Sequence, residues 1–379
     1  MRLIEPSFTL GIEEEYLLVD SKTMDLVSDP PPTIMEECRR RTRWQVTPEL
    51  LRSQIEVGTQ VCKTIAEARD DLARLRGIVI EEAGKEGLSP IAASTHPFGL
   101  WMQQMHTPIE RYRNLTDELQ AAARRMLICG MHVHVGIEDD ELRIDLMNQM
   151  RYFVPHLLAM STSSPFWEGV DTGLKSYRLT IFDALPRTGL PKRFESYAEY
   201  ARHVEILVNA GLLENATKIW WDIRPSARYP TLETRIFDVC TTLEDAIALA
   251  ALTMCLLRML YRLRIKNQRW RIYNAMLLNE NRWRAMRYGC DESLMDLAKG
   301  ELVPFSDLVD EILDLTAKDA EALNCEAEVA HVREIIKRGT SAHRQVEVFE
   351  RAKKNGATDK EALRLIVAFL IDETARVPA

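Results

Sequence analysis

Residues 8–20 contain three consecutive glutamates inside an apolar segment, and its length and composition predict a β-strand. Side chains alternate along a strand, so Glu13 and Glu15 share one face while Glu14 points to the other. Two carboxylates on one face repel each other unless water solvates them, a cation lies between them or one stays protonated. This segment is therefore either an open, solvated strand face or part of a site for a hard cation.

The composition is that of an ordinary soluble globular protein, with 379 residues, 46% hydrophobic and 28% charged. The formal net charge of −8 does not favour an extended nucleic-acid surface, so we expect no nucleic-acid partner. The seven cysteines are odd in number and form no CxxC pair. This pattern predicts reduced thiols in a cytoplasmic protein, without a disulfide framework or a zinc knuckle.

Neither a signal peptide nor a membrane span is expected. Arg2 and Glu5 interrupt any apolar region at the amino terminus. The most apolar run, residues 246–257, ends at Arg258 and is too short to cross a bilayer. It is typical of a buried helix.

A second acidic motif follows the first. Residues 53–57 read as a strand that carries Glu56 between two apolar residues, and Glu49 precedes it by seven positions. An odd separation would place the two carboxylates on opposite faces of one straight strand. A turn or bulge at residues 50–52 is therefore needed to bring them together.

His132 and His134 alternate with apolar residues in the segment 129–136, so both imidazoles face the same side of a predicted strand. A single buried histidine is usually a core residue with a satisfied hydrogen bond. For two histidines on one face of a strand whose opposite face is apolar, the sequence favours neither a core role nor a functional site.

Two later segments also predict strands. Residues 218–225 would present Lys218, Asp222 and Arg224 on one face, and residues 231–238 carry Glu233 and Arg235 together. Neighbouring Glu and Arg residues form structural ion pairs more often than catalytic sets.

Helical patterns cover 107–127, 141–160 and the chain beyond Leu243 to its end. There is no internal repeat, low-complexity tract or linker composition. We therefore predict one α+β catalytic domain over residues 1–379, sheet-rich in 1–240 and helical in 243–379.

If the predicted strands pair, one face of the sheet becomes a concave surface lined with carboxylates, and arginines lie around its edge. Arg178, which follows the loop 161–175, is one of these arginines. A core cannot hold so many charges without partners. Carboxylate oxygens suit Mg²⁺ or Mn²⁺, and arginines suit phosphoryl or carboxylate oxygens. The chain has no GxxxxGK[ST] or GxGxxG loop, so a nucleotide would be held through metal and arginine.

At this point the chain resembles a known family. Its motifs are GIEEE at 11–15, TPE through IE at 47–56, GMHVH at 130–134 and LETR at 232–235. Their order and spacing are similar to those of glutamate–cysteine ligases, and closest to the short bacterial type 2 group of YbdK-like ATP-dependent carboxylate–amine ligases. SPF through SYR at 164–178, followed by RTGLP at 187–191, resembles the substrate loop of the plant-type enzymes.

The resemblance implies a glutamine-synthetase-like fold, in which a curved, mostly antiparallel sheet forms a funnel-shaped active site with helices packed behind it. It implies ATP with two to three Mg²⁺ (or Mn²⁺) ions, and a small-molecule acid and amine as partners, with a homodimer as the assembly considered. Arg178 would bind the acid's carboxylate and Arg235 the transferring phosphoryl group, as the catalytic pair. Further substrate contacts would come from Arg187 and Arg224. The metal ligands implied are Glu13, Glu15, Glu49, Glu56, His132 and Glu233, with His134 and Asp222 as additional candidates.

The expected reaction is ATP-dependent amide formation through an acyl phosphate, joining the side-chain carboxylate of glutamate to an amine such as cysteine. Metal ions and arginines would supply the positioning and charge neutralisation that phosphoryl transfer needs. Three alternatives stay open. A guanidino-type phosphotransferase would use a related site, a metal-dependent hydrolase would use the His-x-His pair, and a degenerate binding protein would have lost the chemistry.

Overall fold

The three-glutamate segment forms the long central strand of the largest sheet in the computed structural model, which describes residues 4–377. The strands are β1 (Leu10–Asp20), β2 (Val46–Pro48), β3 (Gln54–Gly58), β4 (Leu88–Ile91), β5 (Met131–Gly136), β6 (Phe166–Trp167), β7 (Val170–Asp171), β8 (Thr188–Gly189), β9 (Trp220–Trp221), β10 (Ile223–Pro225), β11 (Thr231–Thr234), β12 (Leu294–Asp296) and β13 (Glu301–Val303).

Helices pack around this sheet and make up most of the last third of the chain. They are α1 (Pro32–Thr42), α2 (Ile65–Lys85), α3 (Glu110–Leu119), α4 (Ala121–Arg124), α5 (Asp140–Met150), α6 (Val154–Ser161), α7 (Arg178–Phe182), α8 (Tyr197–Asn209), α9 (Leu243–Arg264), α10 (Ala275–Tyr288), α11 (Phe305–Leu323), α12 (Glu326–Ala330), α13 (Val332–Arg338), α14 (Ser341–Lys354) and α15 (Asp359–Thr374).

The main sheet has seven strands in the order β10-β11-β5-β1-β3-β2, with β4 also paired to β1. All of its strand pairs are antiparallel. Strand β1 is long enough to pair with β5 through its first half, with β3 through its middle and with β4 through its last residues. The carboxylate-bearing strands β1 and β3 and the histidine-bearing strand β5 are therefore direct neighbours.

The opposite face of β1 packs on the helices. Glu14 is fully buried there and receives two hydrogen bonds from Arg76 of α2, Nη2 to Oε1 at 2.6 Å and Nε to Oε2 at 2.8 Å. The Tyr16 hydroxyl donates to the same carboxylate. Because the guanidinium also donates to the carbonyls of Cys240 and Thr241, it joins the sheet, α2 and the segment leading into α9.

Helix α9 forms the centre of the helical layer. It packs against α2, α5, α6, α11, α12, α13 and β5, and nearly all of its residues are buried. Within residues 4–377 it is the one helix long and apolar enough to cross a membrane, but 83% of its apolar window is buried inside the protein. This is the property of a core helix that is hydrophobic on all sides, as the sequence predicts for 246–257.

Several predicted boundaries differ from the structure. The helix expected over 107–127 begins at Glu110 and is interrupted at Gln120, whose φ of 49° lies outside the helical region. The helix expected over 141–160 is split into α5 and α6, and Pro155 lies in the first turn of the second piece. The carboxy-terminal third also contains the β12–β13 hairpin, so it is not purely helical.

Candidate functional site

Three glutamates from the first two acidic motifs converge on one face of the sheet. Pairing of β1 with β3 places Glu15 directly opposite Glu56. The turn that follows β2 brings Glu49 back to the same place, as the odd spacing of the two residues requires. Glu15, Glu49 and Glu56 each offer a carboxylate oxygen, and these oxygens all lie within 4.8 Å of one another.

Burial and the proximity of the three carboxylates change the pKa values in this cluster. Burial, and then the charge of Glu56, raise the pKa of Glu15 to about 7. Burial and the neighbouring carboxylates also raise the pKa of Glu49 well above its usual value, and that of Glu56 to a smaller extent. Three oxygens that repel one another at this distance fit a hard divalent cation, which would favour the ionised form of each.

The two histidines of β5 lie beside Glu13. The Glu13 carboxylate meets His132 Nδ1 at 2.9 Å through one oxygen and His134 Nε2 at 3.5 Å through the other. Burial raises the pKa of Glu13, but the hydrogen bonds that it makes with the two histidines outweigh this effect and hold the pKa well below its usual value. Burial and the charge of Arg235 lower the pKa of His132 to about 4, so this imidazole is neutral at pH 7 and able to bind a metal.

Glu233 is held between two arginines. Arg224, its cross-strand partner, donates to it through Nε at 2.9 Å and Nη2 at 3.0 Å, and Arg235 donates to it through Nη1. Arg224 also donates to two backbone carbonyls, so four of its five N–H groups are engaged. Within residues 4–377, the buried Nε of Arg235 has no hydrogen-bond partner, which leaves it a donor for a ligand.

Arg178 begins the short helix α7 and is buried, with 3% of its surface exposed. Its guanidinium lies over the ring of Phe182 and makes only long hydrogen bonds, 3.4 Å to the carbonyl of Ile236 and 3.3 Å to that of Arg235. Within residues 4–377, no carboxylate lies within salt-bridge distance of it. A buried guanidinium that faces the cavity without a carboxylate partner is suited to an anionic ligand.

Two predicted residues are not brought to the wall of the site. Both oxygens of Asp222 bind Arg282, at 2.8 and 3.1 Å, because the predicted strand 218–225 is interrupted at this residue and the side chain turns away. Arg187 lies behind the wall, where it stacks on Trp220 and donates to the carbonyl of Lys218 at 3.0 Å. The polar face expected for Lys218, Asp222 and Arg224 is therefore not formed as one row.

The other predicted residues line one cavity of about 750 Å³. Its wall includes residues that sequence reasoning missed, above all from α3, a helix with no buried residue. Tyr112, Leu115 and Leu119 have the spacing of one helical stripe, which is the signal that could have indicated a wall. The missed lining residues include Arg39, Glu110, Tyr112, Leu115, Leu119, Glu214, Arg228 and Tyr229.

Comparison with known proteins identifies the family to which the chain belongs. The family model for glutamate-cysteine ligase family 2 matches residues 9–368. Proteins named "Putative glutamate--cysteine ligase 2" are 60% identical in Rhodospirillum rubrum, over 98% of this chain and 96% of that protein, and 53% identical in Paracoccus denitrificans, over 98% and 99%.

Solved structures support the fold. A glutamate–cysteine ligase from Francisella tularensis, determined in complex with AMP, superposes with a TM-score of 0.69 at 14% identity over 100% of this chain and 91% of that one. A bifunctional glutathione synthetase from Pasteurella multocida gives a TM-score of 0.69 at 15% identity over 97% of this chain and 53% of that one. The fold is glutamine-synthetase-like, as the resemblance implied.

These comparisons favour neither a guanidino-type phosphotransferase nor a metal-dependent hydrolase. The extent of the family match, together with relatives of more than half identical sequence across nearly the whole chain, settles the assignment. The chain belongs to glutamate-cysteine ligase family 2 and is an ATP-dependent ligase that joins a carboxylate to an amine.

Proposed function

We propose that the enzyme joins the side-chain carboxylate of glutamate to the amino group of a small molecule, with cysteine as the first amine to test. The names of the related proteins suggest this pair of substrates. The cavity itself carries the proposal. Three closely spaced glutamates line it together with the guanidinium of Arg178, which has no carboxylate partner among residues 4–377. Such a cavity can hold a metal-bound polyphosphate and an organic acid together.

The carboxylate-rich face is proposed to hold two to three Mg²⁺ or Mn²⁺ ions. Bound Mg²⁺ would neutralise phosphate charge and orient the γ-phosphoryl group. The donor set is mainly carboxylate oxygen with one neutral imidazole, which suits these ions. The residues proposed as ligands are Glu13, Glu15, Glu49, Glu56, His132 and Glu233, with His134 adjacent to them.

Arg178 is proposed to orient the acid and Arg235 to stabilise the transferring phosphoryl group. An oxygen of the acid's side-chain carboxylate attacks the γ-phosphorus of ATP, and the bond to the β-phosphate oxygen breaks, giving an acyl phosphate and ADP. The amine then attacks the acyl carbon, inorganic phosphate leaves with the carbon–oxygen bonding pair, and the nitrogen loses a proton. Arg235 suits the first step because its buried Nε has no hydrogen-bond partner among the described residues 4–377.

The remaining partners are proposals of the same kind. We expect the acid, the amine and ATP to be the ligands, with no nucleic-acid or membrane partner, a cytoplasmic location and a homodimer as the assembly to be tested. The net charge of −8 supports the expectation of no nucleic-acid partner, and the burial of α9 supports the expectation of no membrane partner.

The decisive experiment is a measurement of phosphate release from Mg-ATP in the presence of glutamate, with and without each member of an amine panel that includes cysteine. We expect release only when both an acid and an amine are present. The peptide product, identified by mass spectrometry, would name the pair. Phosphate release from ATP alone at the same rate would contradict the proposal, and ADP formation without free phosphate would instead support the phosphotransferase.

A further inference from the structure

A second group of metal-binding side chains lies outside the catalytic cavity, where α10 ends and α14 begins. Cys290 and Asp291 follow the last turn of α10, and His343 lies in the first turn of α14. His343 Nε2 is 3.1 Å from an Asp291 oxygen and 3.9 Å from Cys290 Sγ. The three ligand atoms all lie within 4.8 Å of one another.

These separations are close to those of a tetrahedral zinc site. Bond lengths of about 2.3 Å to sulfur and about 2.0–2.1 Å to nitrogen and oxygen, at a tetrahedral angle, place sulfur and nitrogen about 3.6 Å apart and nitrogen and oxygen about 3.3 Å apart. The observed 3.9 and 3.1 Å differ from these by a few tenths of an ångström, which small side-chain rotations can supply.

The imidazole of His343 is fixed in this direction by its surroundings. Gly289 and Gly339 both have positive φ, and a Cβ on either would come within 2.7 Å of the His343 side chain. On the other side of the ring, the Thr340 amide N–H donates to Nδ1 at 3.1 Å, and the Thr340 hydroxyl lies 2.7 Å from the same nitrogen. Because Nδ1 accepts from this amide, the imidazole proton lies on Nε2, toward Asp291. A metal on Nε2 would displace this proton, and Nδ1 would then donate a proton to the Thr340 hydroxyl, the kind of support that metal-ligating histidines receive.

An ion pair between Asp291 and His343 explains two of the three side chains but not the thiol directed at the same point. Asp291 is exposed and Cys290 is partly buried, so an ion can reach the cluster from solvent. Lys175 Nζ lies 3.8 Å from the Asp291 carboxylate and is the one competing cation in salt-bridge distance among residues 4–377. A thiolate, an imidazole and a carboxylate together favour Zn²⁺ over Mg²⁺.

We propose that Cys290, Asp291 and His343 bind one Zn²⁺ ion, with water in the fourth position. As their bonds to zinc form, the Cys290 thiol gives up its proton to solvent, and Nε2 of His343 gives up the proton that faces Asp291. The ion would clip the end of α10 to the start of α14. The carbonyl of Met286, in the last turn of α10, accepts hydrogen bonds from the amides of Lys175 and Ser176, so the clip would also support the loop that leads to Arg178. The proposal of this zinc site does not rest on the proposed catalytic function.

The test uses Co²⁺ as a spectroscopic substitute for zinc on the purified full-length chain, in excess Mg²⁺ to saturate the carboxylate-rich cavity. We expect a near-ultraviolet thiolate-to-cobalt charge-transfer band that saturates at one equivalent and disappears when one equivalent of Zn²⁺ is added. Oxygen ligands in the catalytic cavity cannot produce this band. Cys290→Ser should abolish the band, whereas the matched control Cys62→Ser should retain it.

Thermal unfolding gives a second measurement. Zn²⁺ should raise the Tm of the wild type and of Cys62→Ser but leave the Tm of Cys290→Ser unchanged, because only a bound ion stabilises the folded state. Asp291→Asn changes an exposed side chain and should weaken Co²⁺ binding at least about tenfold while keeping the sulfur band. Absence of the band in the wild type, or its persistence in Cys290→Ser, would overturn the zinc site and leave an ion pair only.

Discussion

The three adjacent glutamates of β1 have different environments even though they are consecutive. Glu13 lies beside two histidines, Glu15 lies in a crowded carboxylate cluster, and Glu14 is buried in an ion pair on the opposite face. The alternation of side chains along a strand predicts this separation. It does not predict Arg76 as the partner of Glu14, because that residue is 62 positions away and only the packing of α2 brings it there.

At this scale the first prediction concerns Glu56. Glu56→Gln should lower ATP turnover at least about 100-fold, since an amide cannot replace a charged metal ligand. The folded protein should be as stable as the wild type or more so, because one charge is removed from a buried, repelling cluster. Turnover and urea denaturation should be measured together, with the exposed Glu36→Gln as the control. Wild-type turnover in Glu56→Gln would remove this residue from the metal site.

A second prediction follows from the protonation of Glu15. Burial and the charge of Glu56 raise its pKa to about 7, so in the metal-free protein the carboxyl is largely protonated at pH 6. A cation must displace this proton together with those that the raised pKa values of Glu49 and Glu56 retain, and the affinity for Mn²⁺ should therefore fall by about tenfold or more per pH unit below pH 7. Calorimetric titration with Mn²⁺ from pH 5.5 to 8.5 measures this. An affinity that is constant, or that rises toward acid pH, would contradict it.

The same group affects the stability of the metal-free protein with a defined sign. A carboxyl whose pKa is raised from 4.5 to about 7 on folding binds more protons in the folded state than in the unfolded state between these pH values. Its contribution to stability is therefore present at acid pH and is lost as the pH rises through about 7. Saturating Mn²⁺ should remove this loss.

Arg178 carries the third prediction. Arg178→Lys should raise the KM for the acid substrate about tenfold or more with a smaller effect on kcat, because a point charge replaces a planar fork that can grip a carboxylate with two hydrogen bonds. Steady-state kinetics with varied acid at saturating ATP and amine would measure it, with the exposed Arg193→Lys as control. An unchanged KM would remove Arg178 from the acid site.

Gly130 offers an independent check on the same assignment. A Cβ at this position would lie 2.5 Å from Nη2 of Arg178, so Gly130→Ala must displace the guanidinium without removing its charge. We expect the KM for the acid to rise here too. If only stability changed, the position of the guanidinium would not matter for substrate binding.

At the scale of single elements, strands were predicted better than helix ends. The apolar alternation of β1, β3 and β5 depends on local sequence, and the odd spacing of Glu49 and Glu56 required the observed turn. The ends of α3, α5 and β9 depend on tertiary contacts that the hydrophobic pattern of the sequence does not reveal. The pairing of Asp222 with Arg282 is one such contact. Arg187 was assigned to the active site from its motif, and Asp222 from the alternation of side chains along a predicted strand. Neither residue lines the cavity.

The link between α2 and β1 gives the fourth prediction. Arg76→Met leaves Glu14 buried without its guanidinium partner and removes the hydrogen bonds to Cys240 and Thr241. Loss of one partner from a buried ion pair costs about 3–5 kcal/mol of stability. Urea denaturation should show this loss, whereas Arg74→Met, which breaks a surface pair with Asp71, should cost no more than about 1 kcal/mol. Equal effects would mean that the buried pair contributes no more than the surface one.

For the whole molecule, the order of the motifs along the sequence was informative because antiparallel pairing brings β3, β1, β5 and β11 side by side. The resemblance implied the glutamine-synthetase-like fold and ten of the charged and imidazole side chains that line the cavity. The wall formed by α3, by Glu214 and by residues 226–229 was not implied, because these segments carry no recognisable motif. Their side chains reach the cavity only when the chain folds around it.

The last prediction concerns whether the sheet-rich and helical parts unfold as one unit. Side chains of the last third satisfy backbone groups of the first part: the Thr374 hydroxyl accepts from the Ala92 amide at 3.0 Å, and Gln345 donates to the Ser163 carbonyl at 2.9 Å. The buried apolar residues form one continuous cluster from Phe8 to Leu370. Separating the two parts would expose this core and leave polar groups unpaired, so partial unfolding should be disfavoured.

We therefore expect a single equilibrium transition in urea, with the same midpoint by tryptophan fluorescence and by far-UV circular dichroism. The two probes report different regions: five of the seven tryptophans lie before residue 240, whereas the last third is largely helical. Arg76→Met should shift both midpoints together, because Arg76 joins the sheet to the segment that enters α9. Two separated transitions, or a shift in only one probe, would show that residues 1–240 and 243–379 are separate folding units.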